Sequence, residues 1–281
     1  MTAPDKPTIN VPPGMVALTT YGQIQFETHQ AIMEMRSFTE QQGIRPIWTN
    51  IPGSLVDRAR NQAVRTFLTA NPPLQWLLFV DGDAVFKPDA LCQLLTIAYG
   101  NPNAPIDAIG AYCTLRGEPY LPTIDTGTGT WESILPGQGP MQVMRTGSAF
   151  ILMKRHCFER VEGPWYGTRN PMRPIDALTE VDNYAHTKFD GKNPLADIPE
   201  WQALVKCARD EGSTAAPHDI GTFVGEDSNW CDRMRFAGLN IYVHTDIQVD
   251  HVDRTIRSAS DHRDYMKKSE GLMRRLVGML R

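Results

Sequence analysis

Five consecutive apolar residues, Trp76 to Val80, run directly into Asp81-Gly82-Asp83. A stretch so short and so continuously apolar has no polar face to turn toward water. It predicts a strand covered on both faces, in the middle of a sheet. In open α/β sheets, ligands bind outside the carboxyl ends of strands, and here two carboxylates one residue apart stand at such an end. Carboxylate oxygens suit Mg²⁺ or Mn²⁺, cations that also grip phosphate oxygens. Gly82 lets the backbone come close to a ligand. Asp-x-Asp is common in plain turns as well; the apolar strand before it gives it weight.

The flanking pattern agrees with such a sheet. Met15 to Thr20 reads as a buried strand that stops at Tyr21-Gly22. Phe26 to Gln42 has helical spacing, with Ile32, Met35 and Phe38 toward one face and Gly43 as the stop. Ile44 to Thr49 reads as a second strand. Ser54 caps a helix running toward Ala70, and Asn71-Pro72-Pro73 ends it. Pro88 opens a helix through Tyr99, and Ile106 to Tyr112 is the next strand. Alternating strands and helices predict an α/β fold, with a mostly parallel central sheet, right-handed crossovers and helices on both faces.

The middle changes character. Residues 115–141 are rich in Gly, Pro and Thr and read as loops and hairpins, and Met141 to Lys154 reads as extended, giving a small antiparallel part. Residues 163–222 are polar, with Trp165, Tyr166, Tyr184 and Trp201 scattered through them. A stretch that long within an enzyme is expected to be an inserted lid or acceptor-binding segment. Trp165 and Tyr166, followed by Arg169, suit a stacking wall for sugar or base rings and equally an apolar anchor for that segment. Order returns with a helix from Glu226 to Ala237, a stop at Gly238, and strands over Asn240 to His244 and Ile247 to Asp250. The tail from Ser260 to Arg281 reads as a basic amphipathic helix, with Leu272, Leu276 and Leu280 on one face and Lys267, Lys268, Arg274 and Arg275 among its cations. It fits an anionic surface of lipid or DNA, or else a dimer contact or its own domain. The expected division is a flexible leader over 1–13, one α/β domain over 14–258 holding the 163–222 insert, and a terminal helix over 259–281.

Composition narrows the partners. A formal net charge of -4 gives no general pull toward nucleic acid, only room for a local basic face. No apolar run reaches the roughly eighteen residues a membrane span needs. The opening MTAPDKPTINVPPG is polar and lacks the apolar stretch of a signal peptide, so the expectation is a cytoplasmic protein. Cys92, Cys113, Cys157, Cys207 and Cys231 are odd in number and widely spaced, which argues against a disulfide framework and a structural zinc site.

Two further features carry chemistry. Gly225-Glu226-Asp227 stands before SNWCDRMRFAG, where an acidic pair suits either a helix N-terminus or a general base facing a hydroxyl. His251 ends the Ile247 to Asp250 strand, where a lone histidine is structural or a ligand.

Taken in order, Asp57-Arg58-Ala59-Arg60-Asn61, LLFVDGDAVFKPDAL, TGSAFILMKRHCFERV and GEDSNWCDRMRFAGLNIYVHTDIQVDH resemble the motifs of the GT-A glycosyltransferases, especially the bacterial and phage family-2-like branch. The match spans residues 14–255 apart from 163–222. The resemblance implies a GT-A fold, a nucleotide-sugar donor and Mn²⁺ or Mg²⁺. By analogy the donor is a UDP-sugar, and the acceptor is a glycan or a hydroxylated base in phage DNA. Thr19, Thr20 and Tyr21 would line the pocket for base and ribose. Arg58 and Asn61 would reach the nucleotide or its phosphates. Asp81 would lie toward ribose and metal, with Gly82 between the carboxylates. Asp83 would bind the metal directly, and His251 would complete the protein ligands. Gly147 and Ser148 would let their strand pass close to the sugar. Glu226 or Asp227 would deprotonate the acceptor if the reaction inverts the anomeric centre. Where the family often has Gly-His-x-Gly, this chain has Asp250-His251-Val252-Asp253, so Asp253 stands ready to share the metal. Three other readings compete with this one. A nucleotidyltransferase would want a Gly-rich basic loop after strand one, where Thr-Thr-Tyr-Gly stands instead. A metal-dependent hydrolase would want more histidines near the aspartates. A non-catalytic sugar-binding module would have lost some of these carboxylates.

Overall fold

The structure, a computed structural model, describes residues 11–20, 24–53, 55–100, 105–115, 120–167 and 225–252, with 198–199, 201–203, 206 and 256–257 besides. The chain forms two compact units, Met1–Gly167 with Glu226–Arg281, and Thr168–Gly225. Several expectations lie outside the described residues: most of the leader, Tyr21, most of the 163–222 segment, Asp253 and the terminal helix.

The first unit holds every element named here. In chain order they are β1 (Gly14–Thr20), α1 (Phe26–Gln41), β2 (Ile47–Pro52), α2 (Val56–Leu68), β3 (Trp76–Asp81), β4 (Ala84–Phe86), α3 (Ala90–Gly100) and β5 (Ala108–Cys113). Then follow β6 (Ile124–Asp125), β7 (Pro140–Val143), β8 (Arg145–Thr146), β9 (Phe150–Lys154), α4 (Arg155–Arg160), α5 (Glu226–Phe236), β10 (Ile241–Val252) and β11 (Ile256–Arg257). The main sheet runs β11-β10-β5-β9-β3-β1-β2, with β4 and β7 also paired to β10. β1 is parallel to β2 and β3, and β5 to β10. Only β9, wedged between β3 and β5, runs the other way along this central stretch. β6 and β8 form a separate antiparallel pair. The expected α/β fold, with a mostly parallel central sheet and a small antiparallel part, is the observed one.

Strand alternation sorts the core into two layers. Leu77 and Phe79 of β3 pack with Ala63, Val64 and Phe67 of α2, Phe158 of α4, and Trp230 and Met234 of α5. Trp76, Leu78 and Val80 pack with Ala31, Ile32 and Met35 of α1 and Leu91, Leu94 and Leu95 of α3. Burying each of the larger side chains stabilises the fold by about 1.5–3 kcal/mol. Gly14 is required by this packing, because a Cβ there would stand 2.0 Å from the Trp76 indole. That indole is wholly buried and donates from Nε1 to Pro12 O over 2.8 Å.

Three regions differ from expectation by more than two residues. β2 begins at Ile47 rather than Ile44. Residues 43 and 44 are spent on closing α1: Gly43, at φ 80°, donates to Glu40 O, and Ile44 donates to Thr39 O. Pro46 then has no N–H for the ladder. Met141 to Lys154 is not one extended run but β7, β8 and β9. Breaks at Met144, whose N–H goes to Asp125 O, and at Gly147–Ala149 redirect the chain each time. The two strands expected over 240–250 are one strand, β10, whose register on β5 shifts between His244 and Gln248. At that shift Thr245 donates both its N–H and its hydroxyl to Gly139 O. The four described cysteines are free thiols. No helix among the described residues is long and apolar enough to cross a membrane.

Candidate functional site

The topology gathers the chemistry at one edge. β1, β3, β5 and β10 all point their carboxyl ends the same way, bringing Thr19, Thr20, Asp81, Cys113 and His251 to that edge. β9 runs in reverse, so its start, just after Gly147 and Ser148, meets the end of β3 there. The Asp-Gly-Asp turn is pinned from four sides. Asp81 N–H donates to Ala149 O, Gly82 N–H to Thr19 O, Gln25 N–H to Gly82 O, and Val252 N–H to Asp83 O.

The centre of the site is Arg60. It lies on the buried face of α2 and is 2% exposed. Its Nη2 donates to both oxygens of Asp81, each at 3.2 Å. Its Nη1 donates to Glu226 Oε1 at 3.0 Å and, by a short hydrogen bond, to Asp227 Oδ1. The guanidinium also lies 5.5 Å from the centre of the Tyr166 ring. Burial alone pulls the Arg60 pKa down, but Asp227, Asp81, Tyr166 and Glu226 outweigh it, so the cation is held above its ordinary value. The same surroundings push Glu226 up. Burial and the neighbouring Asp227 disfavour its charge more than Arg60 favours it. Asp81 is held further by Thr19, whose hydroxyl donates to Oδ1 over 2.7 Å.

Helix α5, which carries Glu226 and Asp227, is fixed by its own polar contacts. Arg145 of β8 forks onto Asp232, with Nε to Oδ1 at 2.8 Å and Nη2 to Oδ2 at 3.0 Å. Asn229 donates to Gly167 O over 2.6 Å. Such bidentate pairs set orientation as well as energy.

Asp83 takes a different direction from Asp81. Its Oδ1 stands 3.6 Å from His251 Nδ1. The Nδ1 atom is buried and has no hydrogen-bond partner, while Nε2 of the same ring meets Cys113 Sγ at 2.9 Å. Burial alone lowers the His251 pKa, but Cys113 and Asp83 reverse this and raise it to about 10. The expected trio of Asp81, Asp83 and His251 is therefore not drawn together. Among the described residues no group of three or more His, Cys, Asp or Glu is placed to hold a metal ion. Asp81 instead accepts from Arg60 and Thr19. Asp83 and His251 thus set one carboxylate oxygen and one buried imidazole nitrogen facing each other at this edge.

The other expected residues lie around this centre. Arg58 is exposed, while Asn61, three residues on, is 7% exposed. Asn61 donates to Asp57 O at 2.8 Å and Tyr166 O at 2.6 Å, and its oxygen accepts the N–H groups of Trp165 and Tyr166. Its amide is thus spent on the backbone. Thr20 is buried and donates to Asn50 Oδ1 at 3.2 Å. At Gly147 the space for a side chain is taken by Thr123, 3.0 Å from where a Cβ would lie, and Ser148 is buried. Tyr166 packs edge-on against Phe79 and beside Trp230, and Trp165 donates to the Phe158 and Val161 carbonyls. These two aromatics are anchors in the core and not an open stacking wall.

The sequence resemblance assigns no role to Arg60. It sits three and four places before Ala63 and Val64 and seven before Phe67, on the face that α2 buries. An arginine at a buried helix position demands carboxylates, and that was the available signal.

No protein-family model and no curated protein matches the chain. Solved structures similar to it include a protein from STIV, at 14% identity, covering 87% of this chain and 93% of that one, with a TM-score of 0.47. Another is a glycosyltransferase involved in the glycosylation of the major capsid of PBCV-1, at 11% identity, covering 83% and 94%, with a TM-score of 0.31. A third is a Drosophila beta-1,4-galactosyltransferase 7 in complex with manganese, UDP-Gal and xylobiose, at 16% identity, covering 52% and 51%, with a TM-score of 0.29.

Proposed function

We propose that the chain is a glycosyltransferase of the GT-A kind, moving a sugar from a nucleotide-sugar, a UDP-sugar by analogy, to an acceptor hydroxyl. One observation carries this reading. A single buried arginine gathers Asp81 of the Asp-Gly-Asp turn and the Glu226–Asp227 pair at the carboxyl edge of the sheet. Those two acidic motifs are the ones the sequence resemblance assigns to donor and acceptor.

In this account the donor diphosphate lies beside the Asp-Gly-Asp turn, where Asp83 and His251 would hold Mn²⁺ or Mg²⁺. A metal bound there would supply Lewis-acid relief of the charge that builds on the departing diphosphate. On the other side, Glu226 or Asp227 takes the acceptor proton. The acceptor oxygen then bonds to the anomeric carbon, the bond from that carbon to the diphosphate oxygen breaks, and the nucleoside diphosphate leaves with the electron pair. This is the inverting course. The acceptor is a glycan or a hydroxylated base in DNA.

The test is release of nucleoside diphosphate from a panel of UDP- and GDP-sugars with Mn²⁺, offered glycans and hydroxylated-base DNA in turn. The account expects turnover with one donor class, and its loss in Glu226→Gln or Asp227→Asn. Turnover that survives both substitutions unchanged, or no turnover with any pairing, contradicts it.

A further inference from the structure

Arg60 is 2% exposed and meets three carboxylates belonging to motifs far apart in the chain, Asp81 at the end of β3 and Glu226 and Asp227 at the start of α5. The fork is divided: Nη2 serves Asp81 alone, and Nη1 serves the α5 pair. A guanidinium is planar and rigid, so fixing one nitrogen fixes where the other points. One cation among three carboxylates also leaves excess negative charge. Whatever one carboxylate gives up, the others take, and motifs that share only Arg60 become energetically linked.

We infer that Arg60 is a positioning residue that ties the two acidic motifs into one unit, so that the α5 carboxylates are aimed by the carboxylate of the Asp-Gly-Asp turn. The names donor side and acceptor side rest on the proposed glycosyltransferase reading; the coupling itself does not. A lysine cannot replace the arginine, because one point charge cannot hold two partners in fixed directions.

The test has two arms on the full chain. The first is urea denaturation of Arg60→Met, made alone and together with Asp81→Asn, Glu226→Gln and Asp227→Asn. The inference expects the folding equilibrium to fall about a hundredfold or more when charged carboxylates are stranded, and less than about tenfold when all three are amides. A single variant that fails to fold, beside a quadruple variant that folds, is the same result in stronger form. Equal losses in both backgrounds overturn the hub. The second arm titrates UDP with Mn²⁺ by calorimetry. Asp227→Asn is expected to change UDP affinity about threefold or more with Arg60 present, and not in an Arg60→Lys chain. The same change in both chains, or none in either, overturns the relay and leaves Arg60 as a structural ion pair. Failure of the wild-type chain to bind UDP counts against the donor reading instead, and the denaturation arm then decides the coupling alone.

Discussion

Asp83 Oδ1 and His251 Nδ1 face each other across 3.6 Å where the Asp-Gly-Asp turn meets the end of β10. The metal-free imidazole there has its pKa raised to about 10, so it carries a proton at neutral pH. A metal needs the neutral ring, and binding must expel that proton. Mn²⁺ affinity is therefore expected to rise with pH, by about tenfold per unit through the neutral range. Calorimetry in buffers of differing ionisation heat checks this, with close to one proton released per ion. A pH-independent affinity contradicts the assignment of His251.

Glu226 leads to a prediction about rate. Its pKa is raised by burial and by Asp227, against the opposing pull of Arg60. A general base works only when deprotonated, so activity should fall as pH drops through an acid limb lying above the ordinary carboxylate value of about 4.3. Because Asp227 raises that pKa, any activity left in Asp227→Asn should show its limb at lower pH. Steady-state pH profiles of the two chains measure it, and a limb that stays put speaks against Glu226 as the titrating group.

Asn61 separates a structural role from a nucleotide contact. Truncation to alanine strands the N–H groups of Trp165 and Tyr166 and the Tyr166 carbonyl. Each buried group left unpaired costs about 1–3 kcal/mol. Asn61→Ala should lower stability in urea by about 3 kcal/mol, while the exposed Arg58→Ala stays within about 0.5 kcal/mol. An Asn61→Ala chain of full stability that has lost nucleotide binding would restore the direct contact.

Gly14 tests the packing of β1 on β3. Its hydrogen faces the Trp76 indole where a Cβ would stand at 2.0 Å, so Gly14→Ala overpacks the core by about 1–3 kcal/mol. Pairing it with Trp76→Leu should return part of that loss in thermal denaturation. Simple additivity of the two losses would show that the indole is not the obstacle.

The central strand was legible because five apolar residues in a row admit few other structures, and the same run located the carboxyl edge and its aspartates. Helix α2 was legible as a helix, but its polar residues were not. Arg58, Arg60 and Asn61 look alike in a one-letter string, and only burial separates the exposed Arg58 from the hub Arg60 and the backbone clamp Asn61. Asp81 and Asp83 stand one residue apart in sequence, yet the turn between them sends their side chains apart, so they reach different partners. The pairing of Cys113 with His251 spans 138 residues and exists only because β5 and β10 are neighbours. The register shift in β10 and the splitting of 140–154 into three strands arise from tertiary hydrogen bonds to Gly139 and Asp125, for which local pattern holds no sign.

The most direct measurement is calorimetric titration of UDP, GDP and their sugars into the chain, with Mn²⁺ and with chelator, beside Asp83→Ala. The account predicts that one nucleotide binds only with metal and that Asp83→Ala removes the binding. Absence of binding by every nucleotide with metal present, or equal binding in chelator and in Asp83→Ala, would contradict it.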